Sequence, residues 1–256
     1  MGKKLSKKEK YFIPNSVNEF DLIQDILFEL EIDGIDYCIL RNVKNVINTF
    51  PAGDVDILVD TQKDIFKKIH NKLEKLQYKL GYKIYAHSRH ANVSRNFYIA
   101  TKIKDKIYTI NLEFFNRVFV YEYTKFKNIK YKYLKTEDVL KNKVKVKKVY
   151  SSSMPFELIH IIVDSLFNKK PKYYSWIAKN ISEYLNDTSF NRMATEIIGK
   201  DARNFLSFVD WDSDEIEDKQ KLYEFIFKHF KRTKKISWLE DFYRDLSSLY
   251  SHFYTY

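Results

Sequence analysis

The spacing of apolar residues predicts a mixed first part of the chain and a helical second part. Apolar positions that alternate with polar ones have the two-residue period of a strand. They predict these strands: Asp36–Arg41, Gly53–Asp60, Tyr82–Ala86, Asn96–Thr101 and Ile107–Phe115. Helical spacing covers Ser16–Ile32 and Gln62–Leu80, which are followed by Gly34 and Gly81. Helices packed against a mixed sheet indicate an α/β (α+β) core.

A run of three serines, Ser151 to Ser153, marks a domain boundary. Beyond it, apolar residues recur at helical spacing in these segments: 155–167, Lys172–Leu185, Phe190–Ile198, Ala202–Val209, Glu217–Lys231 and Ser237–His252. We therefore expect a basic flexible N-terminus over residues 1–15, an α/β domain over 16–150 and an all-helical domain over 151–256. A Lys- and Tyr-rich, strand-prone segment, Val118–Tyr150, closes the α/β domain.

Two aspartates interrupt the strand that follows Gly53. Asp54 and Asp56 project from one face of this strand, whereas Val55, Ile57 and Val59 cover the other face. Two neighbouring carboxylates repel each other unless a divalent cation, Mg²⁺ or Mn²⁺, neutralises them. Such a pair suits phosphoryl or nucleotidyl transfer. The alternative is a solvated pair at a strand end, but aspartate disfavours strands, which favours a functional role.

The run Tyr37-Cys38-Ile39-Leu40-Arg41-Asn42, a loop, and then Gly53-Asp54-Val55-Asp56-Ile57 resemble the polymerase-β-like nucleotidyltransferase superfamily. The resemblance is strongest to the small nucleotidyltransferase-like proteins of bacterial surface-polysaccharide gene clusters, and it covers about the first 120 residues. It implies a nucleotidyltransferase core in which Arg41, Asn42 and Gly53 bind the nucleotide and Asp54 and Asp56 hold the metal ion. Many members carry Gly-Ser where this chain has Arg41-Asn42.

The superfamily places a third carboxylate on a later strand, and the strand ending at Phe115 offers two registers. Asn111 and Glu113 share one face of that strand. Glu113 would complete a catalytic and metal-binding triad with Asp54 and Asp56. Asn111 in that position would mean that the catalytic base has been lost to an amide. We favour Glu113, because a carboxylate between Leu112 and Phe114 needs a partner in an internal strand.

The function that this resemblance implies is metal-dependent transfer of an NMP group from an NTP to a hydroxyl or phosphate acceptor. The acceptor would belong to surface-polysaccharide biosynthesis. One alternative is a non-catalytic nucleotide- or polyanion-binding protein on a degenerate transferase fold. Another is a nucleotidyltransferase toxin that modifies RNA or protein.

The net charge of +11 is concentrated in a few segments. The lysines from Lys125 to Lys148 predict contact with a polyanion, nucleic acid included, or else a solvated face, and we weigh the two evenly. Residues 87–90, with Arg95 nearby, lie between two predicted strands and could bring cations toward phosphates. Met1 to Ser6 fit the N-myristoylation pattern at Gly2, but a disordered basic start is the preferred interpretation.

Other patterns exclude several classes of protein. The six histidines and single cysteine show no zinc-binding spacing, and no Walker or dinucleotide-binding glycine loop occurs. The lone Cys38, predicted to be buried in the first strand, cannot form an internal disulfide, which fits a reducing compartment. No apolar run is long enough to span a membrane. These features predict a cytoplasmic protein, or one peripheral to the inner membrane face.

Overall fold

The computed structural model describes residues 21–48, 53–90, 94–123, 128–213 and 217–233. Its strands are β1 (Tyr37–Ile39), β2 (Gly53–Val59), β3 (Tyr82–His90), β4 (Ser94–Ile103), β5 (Lys106–Phe115), β6 (Val118–Tyr123), β7 (Asn128–Leu134), β8 (Val144–Val146) and β9 (Val149–Ser151). Its helices are α1 (Leu22–Ile32), α2 (Val43–Asn48), α3 (Ile65–Leu80), α4 (Thr136–Lys141), α5 (Met154–Phe167), α6 (Tyr174–Tyr184), α7 (Thr188–Ile197), α8 (Ala202–Phe208) and α9 (Glu217–Thr233).

Seven strands form one mixed sheet in the order β3-β4-β5-β2-β1-β9-β8. Strand β2 runs antiparallel to β1 and parallel to β5, while β9 runs parallel to β1. Strands β3, β4 and β5 form an antiparallel meander. This architecture, together with the helices after Ser153, confirms the expected fold class of a mixed sheet with helices followed by a helical region.

Helices α1 and α3 share one hydrophobic core with the sheet. The apolar face of β2 contributes Val55, Ile57 and Val59, each almost completely buried, as the alternation predicted. Helix α3 buries a stripe that begins at Ile65, and it ends at Gly81, whose φ of +71° is the left-handed conformation typical of a helix C-terminus. Burial of these aliphatic side chains is the main force that fixes the strand on which the aspartates lie.

The chain divides into two compact units. The first contains the described residues up to Asn116 together with Lys145–Ser151, which supply most of β8 and all of β9. The second contains Arg117–Val144 and the described residues from Ser152 onward. Residues 117–150 were expected in the first domain, whereas the chain leaves the first unit at Asn116 and returns to it at Lys145. The chain returns to the first unit because β9 pairs with β1, with Ser151 opposite Ile39.

The second unit is built around α5. The last ten residues of this helix, Leu158–Phe167, are all buried, and α6, α7 and α9 contact it. The β6/β7 hairpin belongs to the same unit. His160 stacks on Tyr133 and shares a hydrogen bond with its hydroxyl group, so this buried histidine is a core residue. None of the helices in the described segments combines the length and apolar content that crossing a bilayer requires.

Three local features differ from the prediction. Residues 87–90 were expected between strands, but they continue β3 and pair with Ser94–Phe97 of β4. The short helices α2 and α4 were not predicted, because six residues are too few to establish a helical period. The start of the predicted helix Ser16–Ile32 and the whole of the predicted helix Ser237–His252 lie outside the described residues.

Candidate functional site

The two aspartates of β2 lie on the face of the sheet opposite the α1/α3 core. Asp54 is exposed and Asp56 is buried, with 7% of its surface accessible. Gly53 is the first residue of β2 and pairs with Ile110. The structure therefore brings Asp54 and Asp56 to one face, as predicted, with one carboxylate in solvent and the other in the protein.

Strand β5 places both candidate residues for the third position beside these aspartates. In the parallel pairing, Asn111 lies opposite Asp54 and Glu113 lies opposite Asp56. Asn111 Nδ2 donates a hydrogen bond of 3.0 Å to Asp54 Oδ1. Directly opposed residues have Cβ atoms about 5 Å apart, so the register brings the carboxylates of Glu113 and Asp56 side by side on this face. We call the face that carries Asp54, Asp56, Asn111 and Glu113 the carboxylate face.

Arg41 forms an ion pair with the buried aspartate. Its Nε lies 2.6 Å from Asp56 Oδ2, and the two side chains are only 15% and 8% exposed. The preceding residue ties this loop to β2, since Leu40 N donates to the carbonyl of Asp56. Arg41 thus supplies to Asp56 a positive charge that the sequence analysis had assigned to a metal ion alone.

Asn42 sets the direction of the chain after Arg41. Its φ of +59° is in the left-handed region, which asparagine tolerates better than most residues other than glycine. Helix α2 begins at the next residue. A left-handed turn therefore follows β1, where the resembling superfamily often has Gly-Ser, and Asn42 supports that conformation without a glycine.

The carboxylate oxygens on the carboxylate face are suitable ligands for a hydrated Mg²⁺ ion. This ion takes oxygen ligands and is commonly held by one or two carboxylates, with phosphate oxygens and waters completing its shell. Within the described segments, no group of three or more His, Cys, Asp or Glu side chains is arranged to hold a metal ion. Asp54 and Asp56 therefore fit the smaller, partly hydrated kind of site, in which the substrate supplies the remaining ligands.

Strand β4 adds two side chains to the carboxylate face that the sequence analysis did not identify. Its antiparallel pairing with β5 puts Asn96 opposite Glu113 and Tyr98 opposite Asn111. Asn96 is 6% exposed, and its Oδ1 is buried without a hydrogen-bond partner among the described residues. The turn at Lys104 and Asp105 fixes this register, but it lacks the Asn-Gly or Asp-Gly signal that would have revealed the pairing.

The basic residues near the end of β3 form a separate cluster on the opposite face. Arg95 Nη2 lies 2.9 Å from His70 Nδ1, and His70 Nε2 lies 3.3 Å from Glu74 Oε1. His87 contacts the ring of His70 edge to face. Burial and then the charge of Arg95 lower the pKa of His70, with a smaller contribution from His87, while Glu74 opposes this shift. His87 and Arg95 thus do converge, but on His70 of α3 and not on the carboxylate face.

The lysine-rich segment is only partly within the described residues, because residues 124–127 lie outside them. At its C-terminal end, Lys145 pairs with Glu31 and Lys148 pairs with Asp25, both on α1. Lys135 pairs with Glu196 in the second unit. These three lysines compensate acidic side chains of the protein itself, and polyanion contact through the segment stays a prediction.

No protein-family model matches the chain, and no curated protein matches it. Two solved structures are similar to it in fold. One is a candidate nucleotidyltransferase from H. pylori, 11% identical, with a TM-score of 0.41 over 90% of this chain and 99% of that chain. The other is JHP933 from Helicobacter pylori, 12% identical, with a TM-score of 0.41 over 96% of this chain and 99% of that chain. At these values, the likeness assigns neither a family nor an activity.

Proposed function

We propose that this chain is a metal-dependent nucleotidyltransferase that moves an NMP group from an NTP to a hydroxyl or phosphate acceptor. The observation that carries the proposal is the placement of three carboxylates on one face of adjacent parallel strands. Asp54 and Asp56 come from β2, and Glu113 of β5 lies opposite Asp56. The resemblance of the β1–β2 sequence to nucleotidyltransferases of surface-polysaccharide gene clusters supports a precursor of such a glycan as the acceptor.

Each side chain has a distinct role in this proposal. Asp54 and Asp56 would hold Mg²⁺ or Mn²⁺, which would offset the negative charge of the phosphate oxygens. Arg41 and Asn42 before α2, together with Gly53 at the start of β2, bind the triphosphate. Arginine suits this role because its guanidinium group can donate two hydrogen bonds to one phosphate.

The chemical step is an in-line substitution at the α-phosphorus. The oxygen of the acceptor hydroxyl forms a bond to the α-phosphorus, and the bond from this phosphorus to the bridging oxygen of the β-phosphate breaks. Pyrophosphate leaves with that electron pair. Glu113 accepts the proton of the hydroxyl group as general base.

Pyrophosphate release tests the proposal. The four NTPs would be assayed with Mg²⁺ or Mn²⁺ against a panel of sugars, polyols and their phosphates. We expect Asp54→Asn to reduce release at least about a hundredfold, as for the loss of a metal ligand. Asp60→Asn is the matched control, because Asp60 follows β2 and its Oδ1 accepts a hydrogen bond from Gln62 N in an exposed local turn. Equal rates for the wild type and Asp54→Asn would refute the proposal.

A second candidate function has support from one observation. Both aspartates of β2 accept hydrogen bonds from protein donors, Asp54 from Asn111 and Asp56 from Arg41. A degenerate transferase that binds a nucleotide or polyanion without turnover would also tolerate such pairing. Calorimetric binding of an NTP without pyrophosphate release under any condition of the screen would favour this candidate.

A further inference from the structure

Two buried side-chain carbonyl oxygens on the carboxylate face have no donor among the residues that the structure describes. They are Asn96 Oδ1 and Asn111 Oδ1, and neither accepts a hydrogen bond from any described residue. Asn96 lies across from Glu113 on β4, and Asn111 lies two residues before Glu113 on β5. The two oxygens therefore flank the proposed general base, one across the strands and one along its own strand.

The asparagine at position 96 disfavours the folded state in two ways. A buried acceptor without a donor loses its hydrogen bonds to water and gains none in return. Asparagine is also a poor strand residue, whereas a β-branched side chain would pack well in a central strand such as β4. An amide at this place is unfavourable for the ligand-free protein, which favours a role toward a ligand.

The chemistry of the surrounding groups specifies that ligand. Asp54, Asp56 and Glu113 contribute carboxylate oxygens, and the two asparagines add carbonyl oxygens. Two donors shown in this region, Arg41 Nε and Asn111 Nδ2, are directed at the carboxylates of Asp56 and Asp54 and not at these two carbonyl oxygens. A molecule that pairs with the two asparagine carbonyl oxygens must bring hydrogen-bond donors, and hydroxyl groups are the donors that the proposed reaction requires of its acceptor.

We propose that Asn96 and Asn111 form the subsite for the acceptor and that the acceptor is a polyhydroxyl compound. One hydroxyl group lies beside Glu113 and is the nucleophile, while neighbouring hydroxyl groups donate to Asn96 Oδ1 and Asn111 Oδ1. Asn96 and Glu113 are opposed, with Cβ atoms about 5 Å apart, whereas Asn96 and Asn111 are diagonal neighbours about 7–8 Å apart. Several hydroxyl groups along a sugar or polyol can span these distances. This inference rests on the proposed function and narrows its acceptor to molecules with several hydroxyl groups.

The position of each residue accounts for how such a molecule enters. Asp54 is exposed, Glu113 is partly exposed and Asn96 is buried. The carboxylate face is thus accessible to solvent at Asp54 and buried at Asn96. Asn96 contacts the part of the acceptor that lies deepest, so it selects for a hydroxyl group where an apolar carbon would leave its carbonyl oxygen unpaired.

Asn96 is the cleaner of the two residues to change, because the side chain of Asn111 also binds Asp54. The isosteric pair Asn96→Val and Asn96→Thr differs only in that threonine keeps an oxygen. Without any ligand, we expect Asn96→Val to raise the melting temperature by roughly 2–4 °C, as a buried acceptor without a donor is removed. A lower melting temperature for Asn96→Val would show that the amide stabilises the fold, and would overturn the assignment.

The second measurement is pyrophosphate release from each NTP with Mg²⁺, with glycerol, glucose or myo-inositol as probes. The wild type should respond to at least one probe in a saturable way. We expect Asn96→Val to raise KM for that probe at least tenfold with kcat changed less than threefold. The KM of Asn96→Thr should lie between those of the wild type and Asn96→Val. Asn142→Ala, which alters an exposed asparagine that binds the carbonyl of Asp138, is the control and should match the wild type.

The outcomes separate the two proposals. Release that occurs in the wild type but does not respond to any hydroxyl probe refutes the subsite and leaves nucleotidyl transfer in place. An unchanged KM in Asn96→Val also refutes the subsite alone. No release from any NTP refutes the proposed function and the subsite together.

Discussion

The Arg41–Asp56 ion pair predicts that removing the arginine strengthens metal binding. A metal ion that takes Asp56 Oδ2 as a ligand must first displace the Arg41 Nε that lies 2.6 Å from it. Both side chains are largely buried, so this charged hydrogen bond contributes about 1.5–3 kcal/mol. Arg41→Ala abolishes the competition and should raise the affinity for Mn²⁺ by roughly 10- to 100-fold.

The same substitution should weaken two other properties. Without Arg41, the carboxylate of Asp56 is buried with less compensation, and a loss of about 1.5–3 kcal/mol corresponds to a fall in melting temperature of roughly 3–12 °C. Affinity for an NTP should fall, because Arg41 no longer binds the phosphates. We therefore expect Arg41→Ala to bind the metal ion alone more tightly and the nucleotide more weakly than the wild type does.

Equilibrium dialysis with Mn²⁺ and thermal denaturation measure these effects. Added Mn²⁺ should restore more of the melting temperature in Arg41→Ala than in the wild type, since a ligand that binds only the folded state stabilises it. Arg203→Ala is the control, because Arg203 is exposed and binds Asn186 in the second unit. Equal or weaker Mn²⁺ binding by Arg41→Ala would refute the competition between arginine and metal for Asp56.

Three further predictions concern other groups. Glu113→Gln should reduce pyrophosphate release at least about a hundredfold with little change in melting temperature, whereas Asn111→Asp should not increase it; full activity of Glu113→Gln would exclude this residue as the base. The pKa of His70 is lowered from its ordinary value of 6.5, so the unfolded chain takes up the proton first as pH falls. Stability should therefore decline from about pH 7 downward through the folded pKa, and His70→Gln should flatten this slope; an equal slope between pH 7.5 and 5 would contradict the assignment. Lys148→Ala should lower stability by less than about 1 kcal/mol, because its pairing with Asp25 is half exposed, and should leave the salt dependence of heparin binding unchanged; a flatter salt dependence would instead support polyanion contact.

The elements that position the carboxylate face follow from local patterns in the sequence. The alternation of Asp54, Val55, Asp56 and Ile57 specifies which side chains face the core, since only one face of β2 is apolar. The stripe of α3 and its glycine end are equally local. These patterns suffice to predict β2 and α3, because each pattern depends only on residues that are close together in the sequence.

Pairings between distant segments could not be read from the sequence in the same way. The parallel register that sets Glu113 beside Asp56 joins residues 57 positions apart, and no turn connects β2 to β5 directly. Asn96 was not predicted as a site residue, because its position opposite Glu113 depends on the register of the β4/β5 hairpin. The turn of this hairpin, Lys104-Asp105, lacks the sequence signal from which that register could be predicted. The ion pair of Arg41 with Asp56 was missed because it depends on the path of a loop and not on a period.

Strand β9 has a consequence for the order in which the protein is made. A ribosome synthesises β1 long before β9, and the edge of β1 that later pairs with Ser151 has no strand partner on that side until then. Between these two strands, the chain produces the β6/β7 hairpin and α4 of the second unit. A fragment that stops at Asn116 would keep every residue of the carboxylate face yet expose an unpaired strand edge, which is a template for aggregation. The shortest fragment that both holds the aspartates and completes the sheet therefore extends to Ser151 and includes a hairpin that belongs to the other unit.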